Sequence, residues 1–408
     1  MKPALTLLLV LLTGLLTGCG PAMPESTPAE SPASLHERIL TLDTHCDTPL
    51  RIMGDKVDMG RDNTDRRAIS KLDFIRMERG GLDVSFFAVF ISQGKRTPEG
   101  LAIARAKTFK TLDVVDSVLS THSELAVPAT RAADASQLAA SGKRVIYLGL
   151  ENGFPIGKDL DMIQTFYDRG IRYITLCHVR NNDICDSSTD SAEFGGLSEF
   201  GEEVVTEMNR LGLMVDVSHI SDDAVRDVLQ VTKAPIIASH SCARAVRDHA
   251  RNLPDDLLKA IADNGGVIQL CILSHYVKET GSYPERDSAR AAWKAKWEPL
   301  KPWDAQEQDQ RWAEEDIIDD TYPPILATVS DAIDHLDHMI EVAGIDHVGI
   351  GTDFDGGGGL ADCFDASELP NLTTEMLKRG YTEEMIAKIW SGNLLRVFGE
   401  VEEVATGM

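Results

Sequence analysis

Short apolar runs rich in β-branched residues alternate with helix-length amphipathic stretches along most of the chain. The runs are ILTLDTH (39–45), LDVSFFAVFI (82–91), RVIYLGLE (144–151) and RYITLCH (172–178). They continue with LMVDVSH (213–219), PIIASH (235–240), GVIQLCI (266–272) and HVGIGTDF (347–354). Between them lie stretches such as 198–212 and 221–232, the second opening on the good capping residues Ser221-Asp222-Asp223. Gly265-Gly266 supplies the turn from a helix into a strand. Strands alternating with helices predict parallel βαβ units. Eight units are what a closed (β/α)8 barrel, the TIM-barrel fold, needs. An open doubly wound sheet is the alternative, because periodicity does not show closure.

One interval breaks the rhythm. Residues 273–325 form an insertion between the seventh and eighth strands, and it holds four of the five tryptophans: Trp293, Trp297, Trp303 and Trp312. Trp293 and Trp297 share a helix face. Local packing of the insertion accounts for them; a lid or a subunit contact, and with it a homodimer, is the sharper alternative.

The ends of the chain differ in composition. Residues 1–18 combine Lys2 with an apolar run from Ala4 to Gly18, the length of a signal-peptide core rather than a membrane span. Leu16-Thr17-Gly18-Cys19 resembles a bacterial lipobox, which implies cleavage before Cys19 and lipidation of its thiol. An uncleaved anchor or ordinary secretion is the alternative. Residues 19–35, rich in Pro, Ser, Ala and Glu, read as a flexible tether. The expected catalytic domain is 36–400, followed by a tail at 401–408. This organisation places the protein at a bacterial cell envelope, lipid-anchored and facing the periplasm or exterior.

Composition narrows the partners. The 408 residues are 43% hydrophobic and 26% charged, ordinary for a globular chain that barrels of this length use as one domain. A formal charge of −25, from 65 acidic against 40 basic residues, repels phosphate backbones and speaks against a nucleic-acid partner. Apart from Cys19, Cys46, Cys177, Cys185, Cys242, Cys271 and Cys363 show no C-x-x-C spacing, so a thiolate zinc site is not indicated. They read as small buried hydrophobes, although export would permit disulfides.

The candidate chemistry lies where the runs end. In a barrel the catalytic groups sit at the C-terminal ends of strands. Those ends carry His45 and Asp47, Glu151, His178, His219, His240 and Asp353. Such side chains closing apolar runs are costly to bury without a task. His45-x-Asp47 places imidazole and carboxylate on one side of a strand, a chelating arrangement but a weak motif alone. Glu151 is either a helix-capping acid or a carboxylate that bridges two cations. His219 and His240 end consecutive strands, and two neighbouring histidines facing a carboxylate suit zinc. His178 is open between a structural and a functional role, and Asp355 reads as a turn residue. Arg251, a short loop beyond His240, would by itself be an ordinary solvated cation. His335 and His338 read as members of a charged helix, and His347 opens the last strand at the opposite end.

Together these residues look like the membrane dipeptidase family, the renal-dipeptidase-like peptidase M19 branch of the amidohydrolase superfamily. The resemblance runs from about 36 to 400. It rests on Asp43-Thr44-His45-Cys46-Asp47, Glu151-Asn152-Gly153, Thr175-Leu176-Cys177-His178 and Asp216-Val217-Ser218-His219. It continues through Ser239-His240-Ser241, Arg251-Asn252-Leu253-Pro254-Asp255 and Gly351-Thr352-Asp353-Phe354-Asp355-Gly356. The resemblance implies two zinc ions per chain, one held by His45 and Asp47, the other by His219 and His240, with Glu151 bridging. Such cations would depress the pKa of water and supply a nucleophile at neutral pH. It further implies that His178 stabilises the oxyanion, that Asp353 carries the proton to the leaving amine, and that Arg251 grips the carboxylate of a dipeptide substrate. Hydrolysis of an N-acyl amino acid, a lactam or a lactone would use the same centre. A non-catalytic lipoprotein that binds zinc or a peptide is the rival outside enzymology.

Overall fold

All eight apolar runs form strands, in the order expected of a barrel. The structure, a computed structural model, describes residues 32–53, 57–66, 69–281, 283–300, 310–311, 313–315, 317–318 and 321–407. The strands are β1 (Leu42–Cys46), β2 (Val84–Phe90), β3 (Ala126–Pro128), β4 (Arg144–Glu151), β5 (Ile171–Thr175), β6 (Met214–Asp216), β7 (Ile237–Ser241), β8 (Val267–Leu270) and β9 (Val348–Ile350). They pair in parallel in the order β1-β2-β4-β5-β6-β7-β8-β9. The unanticipated β3 pairs with β4 and lies off that path. Three residues ending in Pro128 are too short to register as a strand in the sequence pattern.

Closure comes at the C-terminal mouth. Asp353 N–H donates to His45 O at 2.9 Å and Asp47 N–H donates to Phe354 O at 2.7 Å. These bonds join Cys46 to Phe354 in a parallel bridge, and the open doubly wound sheet is thereby excluded.

The interior is built in two levels. Leu42, Val84, Phe86, Tyr147, Tyr173, Met214, Ile237 and Val267, drawn from strands all round the sheet, form one buried cluster. Residues contributed from every side can meet only inside the barrel. The rings of Phe86 and Tyr147 stack at 4.8 Å, and Phe398 approaches Phe86 at 6.3 Å from the helix Asn393–Gly407. That helix also buries Val401 in the cluster, so residues 401–407 are not a tail but its last turns. Two residues along from Tyr173, Met214 and Ile237, on the same inward face, stand Thr175, Asp216 and Ser239. The apolar level thus gives way to a polar one just below the mouth.

The outer helices follow their sequence pattern. Glu199–Leu211 buries Val204, Val205, Met208 and Leu211, is capped by Ser198, and ends at Gly212 with φ of 79°. Only glycine takes that left-handed conformation without cost. Ser221 caps Asp222–Val231 by accepting from Ala224 N–H.

Of the remaining expectations, some are corrected, some hold, and some fall outside the described residues. The signal segment, Cys19 and residues 19–31 of the tether lie outside the described residues. Residues 32–35, expected to be tether, begin a helix, Pro32–Arg38, in which Leu35 and His36 are buried. His335 is not on a solvated face: it is fully buried and bonds Ala243 N and Val277 O. All six described cysteines are buried, and Cys46, Cys177, Cys185, Cys242 and Cys271 form no disulfide. In the insertion, Trp293 Nε1 donates to Arg311 O at 3.1 Å and Trp297 Nε1 to Glu314 Oε2 at 3.0 Å, so these tryptophans pack within the insertion itself. Trp303 and Trp312 lie outside the described residues. Among the described residues no helix is long and apolar enough to cross a membrane.

His36 yields a stability test. Its ring nitrogens bond Thr373 Oγ1 at 2.6 Å and Gly80 O at 2.9 Å. Burial pushes its pKa from 6.5 down to about 4, against the smaller upward pull of the Gly80 carbonyl. Above pH 6.5 the ring is neutral in both folded and unfolded chains. Below it the unfolded chain binds the proton first, and stability is lost down to about pH 4 at ~1.4 kcal/mol per pH unit. His36→Gln should therefore show a smaller fall in Tm across this window than the parent chain in thermal melts. Equal falls would contradict the assignment.

Candidate active site

A period of two would turn His45 and His240 away from the interior, because Thr44 and Ser239 face inward. Irregularities in pairing reverse this. The β1–β2 register shifts between Asp43 and Cys46, and the β7–β8 register shifts between Ala238 and Ser241. Each shift spans one of the two histidines, and such a local irregularity re-aims a side chain. Asp47 is not on the strand as expected but one residue beyond it, heading the short helix Thr48–Ile52. His178 and His219 lie three residues past the ends of β5 and β6.

Backbone strain gathers at the same mouth. Asn152, His219, Asp353 and Asp355 have φ of 77°, 72°, 58° and 66°. Non-glycine residues held in this region cost about 1–3 kcal/mol each unless their surroundings impose the conformation. Asn152 shows how: its side chain donates to Ile91 O at 2.8 Å and accepts from Phe154 N–H at 3.1 Å and Asn182 Nδ2 at 3.0 Å.

These devices bring the predicted residues around one carboxylate. Glu151 Oε1 lies 3.1 Å from His219 Nε2, and 3.7 Å from the Nε2 atoms of His178 and His240. Its Oε2 lies 3.6 Å from His45 Nε2, which is also 3.6 Å from Asp47 Oδ2. His219 and His240 bring their Nε2 atoms within 2.8 Å. Three overlapping donor sets could hold a metal: His45, Glu151 and His240; Glu151, His178 and His219; and His45, Asp47 and Asp353. Buried His45 Nε2, Asp47 Oδ1 and His219 Nδ1 have no hydrogen-bond partner among the described atoms. Unsatisfied buried polar atoms typically cost about 1–3 kcal/mol each. Nitrogen and oxygen donors without sulfur suit a zinc-like divalent cation.

The electrostatics follow from this crowding. Burial would raise the pKa of Glu151, but the imidazoles, led by His45 and His178, hold it well below the carboxylate range. Burial would lower His45, but Glu151 and Asp47 outweigh it and raise the ring well above its ordinary value. His219 and His240 are pushed well down, first by burial and then by neighbouring positive groups. Asp47 is pushed up to about 6 by burial and the Glu151 charge. Burial, then Cys271 and Asp47, push Asp353 well above the carboxylate range.

Above the centre opens a cleft of about 520 Å³ counted to its mouth, a size that admits a small molecule. Asp47, Glu151, His178, His219 and Asp353 line it together with Leu50, Phe90, Leu273 and Tyr276. Arg251 is not among the residues lining the cleft; it is buried, with its guanidinium 5.3 Å from the Tyr276 ring and its Nη2 donating to His240 O at 3.0 Å. Arg251 Nε has no hydrogen-bond partner among the described atoms. Asp355 belongs to none of the donor sets; its carboxylate ties the segment after β9 to distant parts of the chain, accepting from Lys71 N–H at 2.7 Å and Thr48 Oγ1 at 2.8 Å. A larger hollow lined by Asp190, Asp222, Asp223, Arg244 and Asp248 contains none of the donor sets.

Sequence reasoning missed the supporting residues. Tyr173 OH bonds His45 Nδ1 at 2.9 Å, and Phe90 packs edge-on against His178 at 4.8 Å. Neither stands out in an apolar run. Asp216 and Ser239 lay inside the quoted motifs but carried no assigned role.

Comparisons with known proteins show the family and the fold. A family model described as membrane dipeptidase (peptidase family M19) matches residues 30–408. The chain is similar to a dipeptidase, aclJ, of Aspergillus oryzae, 31% identical over 344 residues, covering 83% of this chain and 72% of the relative. It is also similar to an uncharacterized dipeptidase of Schizosaccharomyces pombe, 32% identical over 387 residues, with coverages of 91% and 82%. Among solved structures, the probable dipeptidase PvdM of Pseudomonas aeruginosa superposes with a TM-score of 0.78 at 32% identity, covering 92% of this chain and 98% of that one.

Gly356 tests how tightly the centre is built. A Cβ there would stand 2.1 Å from Asp47 Oδ2 and 2.2 Å from Asp353 Oδ1. Gly356→Ala should keep the fold by circular dichroism while displacing a carboxylate and weakening divalent-metal binding at least tenfold by titration, in line with losses seen when ligand support is removed. Unchanged metal binding would contradict the close approach.

Proposed function

The chain belongs to the membrane dipeptidase family, peptidase family M19, and from that premise we propose that it is a binuclear zinc dipeptidase cleaving dipeptides with a free C-terminal carboxylate. The observation that carries the reading is Glu151, a buried carboxylate facing the Nε2 atoms of four histidines. His45 and Asp47 would hold one cation, His219 and His240 the other, and Glu151 would bridge them. The cations would supply Lewis acidity, polarising a carbonyl and lowering the pKa of water.

The protein's own groups do the rest. His178, partly exposed on the cleft wall, donates a hydrogen bond to the developing oxyanion. Asp353, whose burial favours the protonated form, delivers a proton to the leaving amine. Arg251 offers a buried guanidinium to the substrate carboxylate, which restricts the enzyme to short peptides. Leu50, Phe90 and Leu273 exclude water from the cleft walls.

Two variants separate metal from substrate binding. His219→Ala should lose metal and hydrolysis together. Arg251→Ala should keep metal and lose about 2–5 kcal/mol of transition-state binding, roughly thirtyfold to several thousandfold in kcat/KM. Arg251→Lys should recover part of this, because an ammonium cannot make the paired contact. A C-terminally amidated dipeptide should be a poor substrate for the parent chain. Equal cleavage of amidated and free dipeptides would remove the carboxylate requirement and favour a related amide or lactone hydrolase.

We also propose that Cys19 carries a lipid anchor at a bacterial envelope, supported by Leu16-Thr17-Gly18-Cys19 and the apolar run before it. Full-length protein should fractionate with membranes and resist salt washing, since several acyl chains anchor durably. Cys19→Ala should appear unprocessed or mis-sorted; a soluble mature form beginning elsewhere would refute the anchor.

A further inference from the structure

Beneath His240 runs a chain of hydrogen bonds whose direction can be worked out. Asp216, Ser239 and His240 are all buried, with exposures of 0%, 0% and 1%. Asp216 Oδ1 accepts from the backbone N–H groups of Ser218 at 3.0 Å and Ser239 at 2.8 Å. Its Oδ2 accepts from the hydroxyls of Thr175 at 2.5 Å and Ser239 at 2.6 Å. Four donors around one carboxylate match an acceptor-only group. A hydroxyl has one proton, and Ser239 spends it on Asp216; Ser218 Oγ, the other acceptor near it, is farther at 3.4 Å. Ser239 Oγ therefore has only lone pairs to offer His240 Nδ1, 2.8 Å away. His240 must donate from Nδ1, which leaves the lone pair on Nε2, the atom that faces Glu151.

We propose that Asp216 and Ser239 are positioning residues that fix His240 in the tautomer able to ligate a cation through Nε2. The inference rests on the metal-centre reading above. The wiring is not shared by its neighbour, because His219 Nδ1 has no partner among the described atoms. A hydrogen bond to the outer nitrogen orients a ligating histidine and raises its basicity, and removing such support typically weakens metal binding about ten- to hundredfold.

The polarity of the relay makes a specific demand. In Asp216→Asn the amide oxygen can keep both backbone N–H bonds, which places the NH2 group at the hydroxyls. An NH2 group only donates, so Ser239 must turn its proton toward His240 Nδ1. His240 is then held with its proton on Nε2, where it cannot ligate. Ser239→Ala merely removes the wire. Combining the two changes removes the hydroxyl that transmits the reversal.

The test titrates the metal-depleted full-length chain with zinc, and records imidazole 15N spectra of the same metal-free samples. The parent chain should bind two ions and show His240 protonated at Nδ1. Ser239→Ala should weaken one site ten- to hundredfold, and Ser239→Thr should restore it. Asp216→Asn should weaken that site at least tenfold beyond Ser239→Ala and show His240 protonated at Nε2. The double variant should return to the level of Ser239→Ala. The proposal is overturned if Asp216→Asn binds zinc like the parent, or if the double variant is no better than Asp216→Asn. Should Asp216→Asn fail to fold, parent-like zinc binding by Ser239→Ala, or no rescue by Ser239→Thr, overturns it instead. Should the parent chain bind no zinc, the metal reading fails, while the 15N spectra still decide the tautomer.

Discussion

Burying an ionised carboxylate costs several kcal/mol unless positive charge or hydrogen bonds repay it, and Glu151 is 2% exposed. Its ion-pair partners among the described residues are all imidazoles, and three of the four have their pKa lowered. Only His45 is pushed toward the charged form. The protein's own side chains therefore leave this carboxylate short of positive charge, while buried atoms of His45, Asp47 and His219 have no hydrogen-bond partner among the described atoms. Removing either Glu151 or the imidazoles would leave the remaining groups without a role. Divalent cations would settle both deficits together.

The rest of the molecule can be understood as what holds that arrangement in place. Aromatic and aliphatic side chains fill the lower barrel, and the C-terminal helix closes its base with Phe398. The rigidity so obtained supports a polar level containing Asp216 and Ser239, then a mouth where strained loops and two register shifts aim the ligands inward. Strain concentrated at one end of a barrel is tolerable because the stable end is elsewhere.

Much of this was legible in the sequence. The eight strands could be read because each is a dense apolar run flanked by helical periodicity, and the candidate site because polar residues close those runs. What could not be read has physical causes. Closure depends on hydrogen bonds between β1 and the loop after β9, which are distant in the chain. The inward aim of His45 and His240 depends on register shifts, whereas simple alternation points them outward. His335 sits in a charged helix, yet its two bonds to backbone atoms of other segments bury it. The turns after residue 400 looked like a tail because only the base of the barrel gives Val401 something to pack against.

The most direct measurement is anomalous diffraction from crystals of the full-length protein grown without chelator, at the zinc edge. The account predicts two peaks, one beside His45 and Asp47 and the other beside His219 and His240, with the Glu151 carboxylate between them. Active protein whose crystals show no peak at Glu151, or one peak alone at full occupancy, would contradict it.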